Sequence, residues 1–103
     1  MEKINKIKEY LISNPQDNFL RHALALEYLK IEEIQKAKIL FIEILTESPT
    51  YIGSYYHLAK LLVNLNETDL AINYYAKGME EAKKAKDNHS YNELQAAYED
   101  LVY

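Results

Sequence analysis

Cysteine and tryptophan are absent from the 103 residues, and glycine and proline occur only twice each. Without cysteine there is no disulfide framework, thiolate nucleophile or zinc–thiolate site. With so few turn-formers, a periodic chain points to helices joined by short connections, and no glycine-rich loop is left to cradle a phosphate. Arg21 is the only arginine and the lysines alternate with acids, so the basic footprint of a nucleic-acid binder is missing. No apolar run approaches the ~18 residues of a membrane span, and the opening Met-Glu-Lys-Ile-Asn-Lys lacks the apolar core of a signal peptide. These absences predict a cytoplasmic protein with neither nucleic acid nor membrane as partner. What is abundant is tyrosine, with ten residues, more than a core of this size needs.

One stretch occurs twice. Leu24 and Leu58 stand 34 residues apart, and the same offset pairs Ala25 with Ala59, Tyr28 with Leu62, Ala37 with Ala71, and Phe41 with Tyr75. It also pairs Pro15 with Pro49. A period near 34 is the mark of a helical repeat array.

Apolar periodicity divides the chain into six helices. The first runs from about Glu2 to Ser13, with Ile4, Ile7 and Leu11 as one stripe; Asn14-Pro15 ends it, because a residue before proline avoids the helical region. The second runs from about Asn18 to Ile31, with Asp17 as N-cap, and is apolar on two sides. The third spans about Ile34–Glu47. The fourth spans about Tyr51–Leu65, with Thr50 as its candidate cap. The fifth runs from about Asp69 to Lys86; Lys83, Lys84 and Lys86 at its end suit the helix dipole and read as a solvated terminus. Ser90-x-x-Glu93 reads as a capping box opening the sixth, whose stripe is Leu94, Ala97, Tyr98 and Leu101.

Leu24-Ala25-x-x-Tyr28, Ala37-x-x-x-Phe41 and Pro49, followed by Tyr55-x-x-Leu58-Ala59-x-x-Leu62 and Ala71-x-x-x-Tyr75, resemble the tetratricopeptide repeat (TPR) family. The resemblance covers residues from about 18 to 82. It implies an all-α, right-handed solenoid of antiparallel helix pairs that stack because no pair buries its apolar face alone. On this reading 1–14 is an N-terminal capping helix, 18–49 repeat one, 52–86 repeat two and 90–103 a C-terminal capping helix, all in one domain. Helices one and six each have a single apolar face, as the ends of a finished array require, so a complete small solenoid is expected. Three positions depart from the family pattern. Arg21 replaces the usual aromatic, which predicts a loosely held first turn of helix two. Ile44 replaces a small residue. No proline follows the second copy, so helix five is expected to run on and helix six to leave the register.

Enzymatic signals are nearly absent. Glu32-Glu33 and Glu80-Glu81 are adjacent rather than facing carboxylates and read as solvated acids. His22 and His57 lie at similar levels of helices two and four, but Lys60 and Asn64 offer no good third ligand, so neither metal nor cofactor is expected. The resemblance implies instead a concave groove lined by first helices. Helix two would contribute Phe19, His22, Leu26 and Leu29. Helix four would contribute Tyr56, His57, Lys60, Val63 and Asn64. The family's best-known specificity, a clamp on a chaperone's C-terminal carboxylate, needs lysine and asparagine donors, and His22, Leu26 and His57 stand in their place. The expectation is a non-catalytic interaction module taking a protein or peptide segment, with packing of Phe19, Leu26 and Leu29 under helix one as the structural alternative. A homodimer through the same apolar surface or through helix one is the competing function.

Overall fold

The computed structural model describes residues 2–103. Among them are six α-helices and no strand: α1 (Glu2–Ser13), α2 (Asn18–Lys30), α3 (Ile34–Glu47), α4 (Gly53–Asn64), α5 (Thr68–Lys84) and α6 (Asn88–Val102). They form two compact units, Met1–Ser48 and Pro49–Tyr103.

In the first unit α2 packs against both α1 and α3. Ile4 and Ile7 of α1, Leu24, Ala25 and Tyr28 of α2, and Ala37, Phe41, Ile44 and Leu45 of α3 are buried. Asp17 accepts a 3.0 Å hydrogen bond from the Leu20 amide and caps α2 as expected. Glu27 ties the first two helices, taking Lys30 at 2.9 Å and Lys3 of α1 at 3.5 Å. The hydrogen bond from Lys30 is the main reason its carboxyl titrates below the usual range.

Arg21 is not loosely held. It is only 6% exposed, and its guanidinium donates to Glu47 Oε1 at 3.2 Å and to Asn18 Oδ1 at 2.6 Å. A planar fork with several donors can bridge two helices where an aromatic ring would simply fill space. The substitution leaves Arg21 Nε buried without a partner.

In the second unit α5 lies between α4 and α6 in the packing order. Tyr55, Leu58, Ala59, Leu61 and Leu62 of α4 are buried together with Ala71, Tyr75, Gly78 and Ala82 of α5 and Leu94 of α6. Thr50 does not cap α4. The helix begins at Gly53, and its N-cap position is Ile52, which has no side-chain oxygen to offer. The preceding turn is held instead by the Tyr55 hydroxyl, which donates to the Pro49 carbonyl at 2.6 Å, and by the Ile52 amide bonding to Thr50 O at 2.9 Å.

Ser90 is likewise not the cap of α6. The helix starts two residues earlier, and Asp87 accepts both the Ser90 amide at 3.0 Å and the Ser90 hydroxyl at 2.7 Å. Those two bonds hold the Asp87 carboxyl below its ordinary pKa. Of the two Glu pairs, Glu32-Glu33 is exposed, but Glu81 is buried while Glu80 is exposed. Lys77 at 3.2 Å neutralises Glu81, and Lys84 lies 3.9 Å away.

Three helix exits share one geometry. Glu32, Asn66 and Lys86 have φ of 61°, 62° and 58°. Each following amide reaches back five residues: Glu33 to Tyr28 O at 2.9 Å, Glu67 to Leu62 O at 2.8 Å, Asp87 to Ala82 O at 2.9 Å. These are Schellman closures, built without glycine. The left-handed residue at position 86 is what stops α5 at Lys84.

Candidate functional site: an aromatic pocket between the fourth and sixth helices

The predicted groove residues divide between the two units. In the first, Phe19 is 72% exposed on the opening turn of α2, which removes it from the set expected to pack under α1. Leu26 and Leu29 are half-buried. His22 packs edge-on against Phe41, ring centroids 5.5 Å apart. The same unit carries a separate apolar hollow of about 250 Å³ over Tyr28, whose ring is flanked by Lys8 at 5.8 Å and Lys36 at 5.7 Å.

In the second unit, four of the five predicted α4 residues share one pocket. Tyr56, Lys60, Val63 and Asn64 form its α4 wall, in an open cavity of about 300 Å³. Lys60 follows Tyr56 by four residues, and Val63 and Asn64 follow Lys60 by three and four, so all lie toward one face of the helix. Tyr75 of α5 forms the floor, and Ala97, Asp100 and Leu101 of α6 form the opposite wall. Tyr56 meets the Tyr75 ring edge-on at 6.4 Å, and Lys60 Nζ stands 5.9 Å from the Tyr56 ring centroid. His57 packs against Tyr56 at 5.9 Å. Burial is the main cause of its lowered pKa; Glu93 of α6 opposes that shift and Lys60 adds to it. Among the described residues no three histidine, aspartate or glutamate side chains gather as a metal site would need.

Tyr75, Ala97, Asp100 and Leu101 were not anticipated as pocket residues. The repeat assigns the groove to the first helices of its two copies and leaves α6 as a cap. A usable signal exists at a different offset. Tyr91, Leu94 and Tyr98 follow Tyr55, Leu58 and Leu62 by 36 residues, so α6 repeats the first-helix pattern two positions late. α5 has 17 residues against 14 in α3, and the connection that follows it, 85–87, is shorter than 48–52, so the next helix falls out of the 34-residue phase.

The geometry can be set beside known proteins. Residues 52–85 match the family model described as tetratricopeptide repeat. A solution structure of a tetratricopeptide repeat domain protein from Salinibacter ruber is 42% identical, with a TM-score of 0.82, over 85% of this chain and 89% of its own. A crystal structure of a domain from the same organism shows 42% identity and a TM-score of 0.80 over 82% and 94%. The TPR2B domain of yeast Sti1, solved in complex with pHsp70, shares only 14% identity but the same fold, with a TM-score of 0.86 over 95% of this chain and 78% of its own. A search among curated proteins gives no match. The repeat spacing, the helix pairs and these relatives agree: this chain belongs to the tetratricopeptide repeat family.

Proposed function

We propose that the chain is a non-catalytic protein-interaction module that takes a partner segment in the pocket between α4 and α6. The observation that carries the reading is the meeting of an apolar cavity with few, placed polar groups. Tyr56, Tyr75, Val63 and Leu101 supply apolar wall, and Lys60, Asn64 and Asp100 edge it. Recognition sites have this composition, in which aromatic surface anchors and a few polar groups orient.

The cavity suits one bulky apolar side chain. Burying such a side chain contributes about 1.5–3 kcal/mol, whereas a micromolar complex needs about 8 kcal/mol. Contacts around the pocket must therefore add to the anchor. His57, packed against Tyr56, is the further contact residue there; on the first unit, taken by itself, Phe19, His22, Leu26 and Leu29 are proposed as a separate contact surface.

Selection of dodecamer peptides on the immobilised protein tests the reading. Enriched peptides are expected to lose binding to the Tyr56→Ala variant and to Ala97→Gln, which fills the cavity from the α6 side. Enrichment that survives both changes would place recognition elsewhere. Self-association is the second reading, favoured by Ile12 at 81% exposed together with Phe19. Light scattering across a concentration series separates the two, because a monomer throughout excludes it.

A further inference from the structure

The pocket walls differ in charge. Among the acidic and basic residues of α4, Gly53–Asn64, there is only Lys60. Between Asn88 and Val102, α6 carries Glu93, Glu99 and Asp100 and neither lysine nor arginine. Glu93, Ala97 and Asp100 are four and then three residues apart, so they share one face of α6. Ala97 and Asp100 line the pocket, and the carboxylate of Glu93 acts on His57 across from it on α4. Glu93 and Asp100 are both exposed. Neither makes an ion pair with a lysine or arginine among the described residues, although Glu80 and Glu81 of α5 are matched by Lys77 and Lys84. The one cation at the pocket, Lys60, is stationed over the Tyr56 ring. Burial shifts His57 toward its neutral form, against the opposing pull of Glu93.

From this asymmetry we infer that the partner segment is basic and amphipathic: an apolar side chain enters the cavity while lysine or arginine side chains on either side of it meet Glu93 and Asp100. This rests on the pocket being the recognition site and adds the sign of the partner's charge. The chemistry is coherent on three counts. Two carboxylates seven residues apart on one helix face, Asp100 in the cavity lining and Glu93 one turn before Ala97, suit guanidinium or ammonium groups. Tyr56, half-buried at the pocket, offers a ring on which an arginine can stack in place of Lys60. Attraction of this kind sets orientation and rate of encounter, and it weakens as salt rises.

The test uses two fluorescein-labelled synthetic helices of twelve residues with the same leucine positions. One carries lysine and arginine as its only charged residues, and its twin carries glutamate at each of those positions. Anisotropy titrations should show the basic helix binding at least about tenfold tighter, with Asp100→Lys or Glu93→Lys erasing about that factor. Because both acids are exposed, circular dichroism of the variants should match the parent. Equal binding of the twins, tighter binding of the acidic one, or an unchanged affinity in both lysine variants overturns the charge assignment. If the acidic helix binds and Tyr56→Ala abolishes it, the pocket stands and only the charge fails. If Tyr56→Ala affects neither helix, the pocket reading itself falls.

Discussion

Gly78 of α5 passes so close to Tyr55 of α4 that a Cβ on the glycine would stand 2.7 Å from the Tyr55 Cβ and 2.9 Å from its Cγ, with Leu94 Cδ1 of α6 at 3.1 Å. The Tyr55 Cβ is fixed to its backbone and cannot swing aside. Two effects therefore oppose each other in Gly78→Ala. Alanine gains about 1 kcal/mol as a helix former, while overpacking a fixed contact costs about 1–3 kcal/mol. The clash should win, and chemical denaturation should show a lower midpoint for Gly78→Ala. A raised midpoint would mean that the helices separate without cost.

The Tyr55 hydroxyl supplies a second test. Burial, with the Glu81 carboxylate adding to it, pushes its pKa to about 12, against about 10 in an unfolded chain. Between those values the unfolded chain releases this proton and the folded one keeps it. The contribution to stability is thus complete below about pH 10 and falls as pH rises toward 12. Burial raises Tyr74 and Tyr75 in the same direction. Tyr55→Phe removes the bond to the Pro49 carbonyl and should cost about 1 kcal/mol at neutral pH. Urea denaturation of the two proteins at several pH values should show that gap narrowing above pH 10. A gap that stays constant to pH 12 would contradict it.

The left-handed corners should yield to glycine. A non-glycine residue there carries about 1–2 kcal/mol of backbone strain, part of which glycine gives back through its greater freedom in the unfolded chain. Glu32→Gly and Lys86→Gly are each expected to raise stability by roughly 0.5–1 kcal/mol. Asn66→Gly should gain less, because asparagine tolerates this conformation. Thermal melts of the three single variants give the ranking.

Arg21 and Glu47 should respond asymmetrically. Glu47→Gln removes the counter-charge from a buried guanidinium and should cost about 1–3 kcal/mol. Arg21→Tyr installs the residue type found 34 positions later at Tyr55, removes a buried charge together with its unpartnered Nε, and should be neutral or stabilising. Equilibrium unfolding of both variants decides; a costly Arg21→Tyr beside a harmless Glu47→Gln would reverse the account.

Much of the fold was legible because two periods coincide in the sequence. Leu24-Ala25 and Leu58-Ala59, with Ala37 and Ala71, mark helix faces by their local spacing and mark the repeat by their offset of 34. Helix starts were less legible. Thr50 and Ser90 have capping side chains, but which residue caps depends on where the chain turns. Tyr55 and Asp87 decided that through hydrogen bonds at 2.6 Å and 3.0 Å. Glu81 looked like a twin of Glu80 because adjacent helical positions differ by facing direction, which composition does not record. At the pocket, the α4 wall could be read from the repeat, whereas the α6 wall could not. The longer α5 and the shorter connection after it move the next first helix out of phase, and Tyr91, Leu94 and Tyr98 match Tyr55, Leu58 and Leu62 at an offset of 36 instead of 34.

The two tyrosines at the pocket also make it a light source. The chain has no tryptophan, so no residue of its own drains tyrosine emission by energy transfer. Tyr56 and Tyr75 stand in the cavity with ring centroids 6.4 Å apart. A tryptophan carried by any segment seated between α4 and α6 becomes an energy acceptor within reach of both. Binding of such a segment can then be read optically, from the indole's sensitised emission, without attaching a label to the protein, and the part of that emission lost in Tyr56→Ala belongs to this site.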